Sequence, residues 1–235
     1  MPRPRNPETA DLLLETAARL VAEEGQPAVT ARRLATEIGT STMAVYTHFG
    51  SMDDVFVAVW RLGFTRFGAA LAGPAVTGDP VADWVTQGWA YRRFAHDNEH
   101  LYRVMFDNSS IASKVAGRAD QEAAMATFMS LLERLRRCVE AGRWQVDDIQ
   151  LAGEVVWSTV HGQLSIELTG YFRETGRDPV TAYAEGMRRL ALSFGDEPEA
   201  LARSMDVALR RARRAEALPQ RSVSEPPSAQ AVSTL

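Results

Sequence analysis

The stretch Thr30 to Phe49, TARRLATEIGTSTMAVYTHF, constrains this chain most. Apolar Leu34, Ala35 and Ile38 fall on one side of a short helix. Gly39 follows; glycine takes the left-handed backbone without steric cost, so the helix ends there. Thr40 or Ser41 then supplies the hydroxyl cap of a second short helix. On that helix Ala44, Val45 and Phe49 fall inward, while Thr42, Met43, Tyr46, Thr47 and His48 fall outward. Small hydroxyl residues permit close approach to another surface, and tyrosine and histidine reach phosphate oxygens. Such a face suits a DNA groove. Spacing alone also fits an ordinary helical hairpin with a solvated face.

The residue identities narrow the choice. Leu14, Ala17, Ala18, Leu20 and Gly25 precede Thr30, Leu34, Ala35, Gly39 and Ser41, and the run closes on Tyr46, His48 and Phe49. In this order and register, residues 8 to 60 resemble the TetR family of repressors. The family usually has a lysine three residues after that phenylalanine, where this chain has Met52. The resemblance implies a DNA-binding set of Thr30, Arg32, Ser41, Thr42, Met43, Tyr46, Thr47 and His48. Thr30 would meet phosphate, and Arg32 phosphate or a base edge. Thr42, Met43 and Thr47 would face bases, with Tyr46 and His48 on the backbone. Met43 suits the thymine methyl, the apolar feature of the major groove.

Charge argues the other way at first. The chain carries a formal net charge of −4, which excludes a generic nucleic-acid binder. Residues 1 to 60 hold five arginines against eight acidic residues. Placement offsets part of this. Arg3 and Arg5 lie on an arm before the first helix, Arg32 and Arg33 lie in the first turns of the second, and several acids belong to the far side.

The rest of the chain also reads as helix, with no run of alternating β-branched residues, so the expected fold is all-α. Asn6 and Pro7 start the first helix, and Ser51 caps a fourth that connects head to body. Gly73 to Pro80 is a break. Further helices are expected over Val81–His96, around Leu101–Phe106, over Ile111–Ala141, Asp147–Phe172 and Asp178–Phe194, and from Pro198 to Leu218. The expected division is a helix-turn-helix domain over 1–52, a helical effector-binding and dimerisation domain over 53–218, and a disordered tail over 219–235. No apolar run of about eighteen residues stands out as a membrane span. No signal peptide is recognised, and the single Cys138 cannot form an internal disulfide, so a cytoplasmic protein is expected.

The run WSTVHGQLSIELTGYF, with Trp157, His161 and Gly162, resembles the WHG-type C-terminal domain of the same family, as does Tyr91 to Phe106. The resemblance implies a homodimer joined through the eighth and ninth helices, and a small apolar ligand. Gly162, Ser165, Thr169 and Gly170 allow close helix approach. The aromatic and methionine residues Trp89, Phe94, Phe106, Met125, Phe128, Met129 and Trp157, with His161 as polar anchor, are the expected ligand-binding set; soft walls of this kind suit apolar molecules. His161 also fits a satisfied core histidine. His96 and His100 share a helix face but lack an obvious third ligand, so no metal and no cofactor are expected. No catalytic spacing is present, so no enzyme is expected. The expected function is a transcriptional repressor released from a palindromic operator by its ligand. The alternative is a DNA-binding regulator without a small-molecule ligand.

Overall fold

Side-chain caps start the helices where the sequence places hydroxyls and carboxylates. The hydroxyl oxygens of Thr30, Ser41 and Ser51 accept from the backbone N–H of Arg33, Ala44 and Asp54, at 3.1, 3.2 and 3.1 Å. Ser41, and not Thr40, is the cap of the reading helix. Asp79 and Asp148 do the same work at Ala82 and Leu151. Each cap satisfies one of the N–H groups that a helix start leaves unpaired. Gly39, at φ 70°, makes the turn between the two short helices.

The computed structural model describes residues 7–106 and 118–217, and every regular element there is helical. In order they are α1 (Pro7–Glu24), α2 (Ala31–Glu37), α3 (Thr42–Phe49), α4 (Met52–Ala72), α5 (Pro80–Asp97) and α6 (Glu99–Phe106). Then follow α7 (Arg118–Glu140), α8 (Ile149–Leu168), α9 (Tyr171–Thr175), α10 (Pro179–Ser193) and α11 (Pro198–Ala217). A 3₁₀ turn, Gln26–Ala28, joins α1 to α2. The all-α expectation is met. Arg3, Arg5, Asn6, the expected start of the long helix at Ile111 and the tail 219–235 lie outside the described residues.

Two features of the helices differ from expectation. The helix expected to reach Phe172 stops at Leu168, and Gly170, at φ 86°, begins the separate short α9. The helix α4 is also more apolar than the sequence reading allowed. Its best eighteen-residue window has a mean hydropathy of 1.4, and among the described residues it alone is long and apolar enough to cross a membrane. Its apolar side chains have partners within the fold. Val55, Phe56, Val59, Trp60, Phe64, Phe67 and Leu71 are buried, and α1, α3, α5, α6 and α7 pack around it.

A buried carboxylate ties the body together. Asp83 on α5 is fully buried and accepts from the backbone N–H and hydroxyl of Thr77, each at 2.7 Å. It also accepts from Arg137 on α7 at 2.8 Å and Arg211 on α11 at 2.9 Å. Burial pushes such a carboxyl up; the hydrogen bonds from Arg137, Thr77 and Arg211 outweigh it and hold Asp83 below its ordinary value. The arginines between Arg210 and Arg214 are therefore divided. Arg211 is structural, while Arg210, Arg213 and Arg214 are exposed.

Candidate functional site

The outward face of α3 is built from residues the core does not use. Val45 is completely buried and anchors the helix, whereas Met43 is 71% exposed and Tyr46 47%. Thr42 and Thr47 are exposed, and His48 is half-buried with its ring against Phe49. Thr30 and Arg32 stand exposed at the start of α2, beside this face. All eight residues of the expected DNA-binding set thus lie at or near the surface of one hairpin.

The charge puzzle resolves locally. Arg33 bridges Glu24 at 3.1 Å and Glu37 at 3.0 Å, and Arg19 bridges Glu23 and Glu37, both at 2.9 Å. Two arginines thereby pair with three acids of the head on the α1–α2 side, which leaves a single negative charge in that cluster. Arg33, expected among the basic residues that meet DNA, is corrected to a partner of those acids. Arg32 is exposed and, among the described residues, forms no ion pair.

The body holds a cavity of about 940 Å³ that is partly open to solvent. One wall is a single face of α4: Trp60, Phe64, Phe67 and Leu71, at i, i+4, i+7 and i+11. The opposing walls include Trp84, Gln87 and Tyr91 from α5 and Phe106 from α6. Met125 and Phe128 from α7, Trp157 from α8 and Met187 from α10 complete them. Among the described residues no arginine or lysine lines it; Glu154 and Gln150 sit at its α8 edge. Such a chamber suits an apolar, ring-containing molecule.

Of the eight expected ligand-binding residues, Phe106, Met125, Phe128 and Trp157 line this cavity. The other four do not. Trp89 lies about 200° around α5 from Gln87 and instead lines a second groove of about 540 Å³ with Arg93 and Arg214. Phe94 is buried against Phe67, with ring centroids 5.0 Å apart. Met129 is 44% exposed. His161 sits behind the wall, its Nδ1 2.7 Å from the Tyr102 hydroxyl, which is 3.3 Å from that of Tyr91. His161 is thus bonded through Nδ1 to the tyrosines, as a core histidine would be, and is not among the residues that line the cavity. Burial pushes the Tyr91 phenol up to about 12, so it meets the cavity uncharged. The α4 wall and Trp84, Gln87, Tyr91 and Met187 were missed. The aromatic spacing on α4 was visible, but periodicity marks an inward face without saying whether it meets packed side chains or a void.

His96, weighed as a metal ligand, bonds to Glu167 at 2.9 Å, and Glu167 also holds Arg92. No group of three metal-ligating side chains occurs among the described residues.

Two family models match. Residues 13–59 fit the bacterial regulatory proteins of the tetR family, and residues 84–190 fit the tetracyclin repressor-like C-terminal domain, of the WHG type. No curated protein sequence matches the chain. Among solved structures, the TetR family transcriptional regulator PfmR from Thermus thermophilus is similar over 79% of this chain and 99% of its own, with 25% identity and a TM-score of 0.64. The fatty acid degradation regulator FadR from Bacillus halodurans shares the fold over 80% of this chain and 97% of its own (16% identity, TM-score 0.66). RolR, solved with resorcinol, does so over 87% and 94% (16% identity, TM-score 0.55).

Proposed function

This chain belongs to the TetR family of bacterial regulatory proteins, with a DNA-binding helix-turn-helix at its N-terminus, and from that premise we propose a repressor released from a palindromic operator by a small apolar ligand. One observation carries the reading. The helix α4 supplies a cavity wall through Trp60, Phe64, Phe67 and Leu71 and also packs against α1 and α3 of the head. A molecule in the cavity therefore touches the element that orients the reading helix. If it prefers one position of α4, it shifts the population of head positions, and two recognition helices lose their match to successive major grooves. The helix α6 supports the same coupling, because it lines the cavity with Phe106 and packs on α1. That RolR was solved with resorcinol supports an aromatic ligand for a chamber of this shape.

A palindrome needs a two-fold dimer. Leu151, Val155 and Ile166 are exposed along α8, at spacings that keep them on one face, and Val180 is exposed on α10. Gly162 lies on the same stripe with open space before it. We assign this surface to a homodimer through α8 and α10, two helices from each protomer. In residues, the head is 1–52 and the effector and dimerisation body 53–218. A regulator of this kind works where bacterial DNA is, in the cytoplasm.

The test is selection of genomic fragments bound by the purified protein, followed by release. Aromatic compounds that raise the melting temperature should also free the selected fragment in a gel-shift titration. Compounds that stabilise the protein yet leave the DNA complex intact would refute a ligand-released repressor.

A further inference from the structure

The exposed face of α3 lacks the side chains that read bases by paired hydrogen bonds. Its sequence, TMAVYTHF, contains no arginine, lysine, asparagine or glutamine. Guanine is read mostly by arginine or lysine, and adenine by asparagine or glutamine. What α3 offers instead is apolar. Met43 is the most exposed of its large side chains, 71% accessible. Thr47 stands one turn on, at i+4, on the same face. Its hydroxyl donates to the Met43 carbonyl at 2.7 Å, so its one proton is held by the backbone and its methyl is left to meet a base as the apolar group. The second pair on this surface, Thr42 and Tyr46, is the polar one.

In the major groove one base feature answers an apolar pair: the C5-methyl group of thymine. We infer that α3 recognises its operator half-site through thymine methyl groups packed against Met43 and Thr47, and that the pairs beneath these two residues are A·T. Guanine contacts, where the operator has them, fall to Arg32 on α2 or to the arm before α1. The inference rests on the reading above that α3 enters the major groove.

Deoxyuridine replaces thymine without altering any hydrogen-bonding edge and removes only the methyl. Binding of the full-length dimer to a selected operator duplex would be measured with each half-site thymine replaced in turn by deoxyuridine. At one or two positions per half-site, affinity should fall roughly fourfold per methyl lost from an apolar contact. In Met43→Ala the penalty at one of these positions should shrink to less than twofold. In Thr47→Ser, which keeps the hydroxyl and removes the methyl, the neighbouring position should lose its penalty. Both residues are exposed, and circular dichroism should show unchanged folding. Indifference of the wild type to every replacement would overturn the inference, as would penalties that persist undiminished in both variants. Tyr46→Ala separates the two levels of the reading. If it abolishes tight binding while deoxyuridine has no effect, α3 is on the DNA and only the thymine reading falls. If neither Tyr46→Ala nor Met43→Ala alters binding, α3 is not the reading helix and both readings fall.

Discussion

Tyr46 and Asp83 show how differently a single side chain can matter here. Tyr46 is 47% exposed and makes little of the core. Its phenol stands on the face proposed for DNA, where a hydrogen bond to a charged phosphate contributes about 1.5–3 kcal/mol. Tyr46→Ala should therefore weaken operator binding by about that amount while leaving the melting temperature unchanged. A gel-shift titration beside a thermal melt reads both. Asp83 is the reverse case. Removing its charge leaves Arg137 and Arg211, and the buried Arg134 on α7 3.9 Å away, without their shared counter-ion, and breaking a buried pair in this way costs about 3–5 kcal/mol. Asp83→Asn should lower unfolding stability by this amount at pH 7. Because the folded carboxyl titrates below its ordinary value of 3.8, its contribution is complete above about pH 4. It is lost as the pH falls through the lower folded value. Urea unfolding of wild type and Asp83→Asn should therefore converge in strong acid; a gap as wide at pH 3 as at pH 7 would contradict the assignment.

At the scale of elements, α8 has two faces with different work. Ala152, Gly153, Val156, Val160 and Leu164 are buried in the protomer. Leu151, Val155 and Ile166 are exposed. Gly162 discriminates a folding role from an association role. A Cβ added there meets nothing within 4 Å inside the protomer, so Gly162→Leu should fold normally. In a four-helix bundle the same side chain enters the closest helix approach. The expected result is a helical, cavity-competent monomer by light scattering, and a persistent dimer would move the interface elsewhere. The helix α4 is shared in the same sense, with one face on the cavity and one on the head. Both surfaces belong to one rigid rod, which makes it the natural carrier of a ligand signal.

For the whole molecule, electrostatics set a measurable expectation. Arg33 is held by Glu24 and Glu37 and Arg19 by Glu23 and Glu37, which leaves Arg32, with Arg3 and Arg5 of the N-terminal sequence, as the remaining basic residues of each head. Six such contacts in a dimer give a log K against log salt slope of roughly −5. The exposed Arg210, Arg213 and Arg214 on α11 test whether the body also touches DNA. Replacing all three by glutamine keeps Arg211 on Asp83, which a truncation before α11 would remove along with its support for α5. An unchanged slope keeps α11 off the DNA; a slope shallower by three or more units puts it on the duplex.

What the sequence determined by itself was local. The Gly39 turn and the inward–outward division of α3 depend on neighbours a few residues apart, so the outward Met43 and Tyr46 were legible, and the cap of α3 was narrowed to Thr40 or Ser41. The all-α class followed from helical spacing for the same reason. Tertiary structure decided everything that required two distant segments to meet. Trp60, Phe64, Phe67 and Leu71 recur at helical spacing and so share a face of α4. Only the placement of α5, α7 and α8 left that face beside a void, while Phe94 was packed and Trp89 turned to another groove. Arg33 and Arg211 read as free cations until the fold brought Glu24 and Asp83 to them. An ion pair or a cavity wall is a property of approach in space, and helical periodicity records direction around an axis without recording what stands opposite.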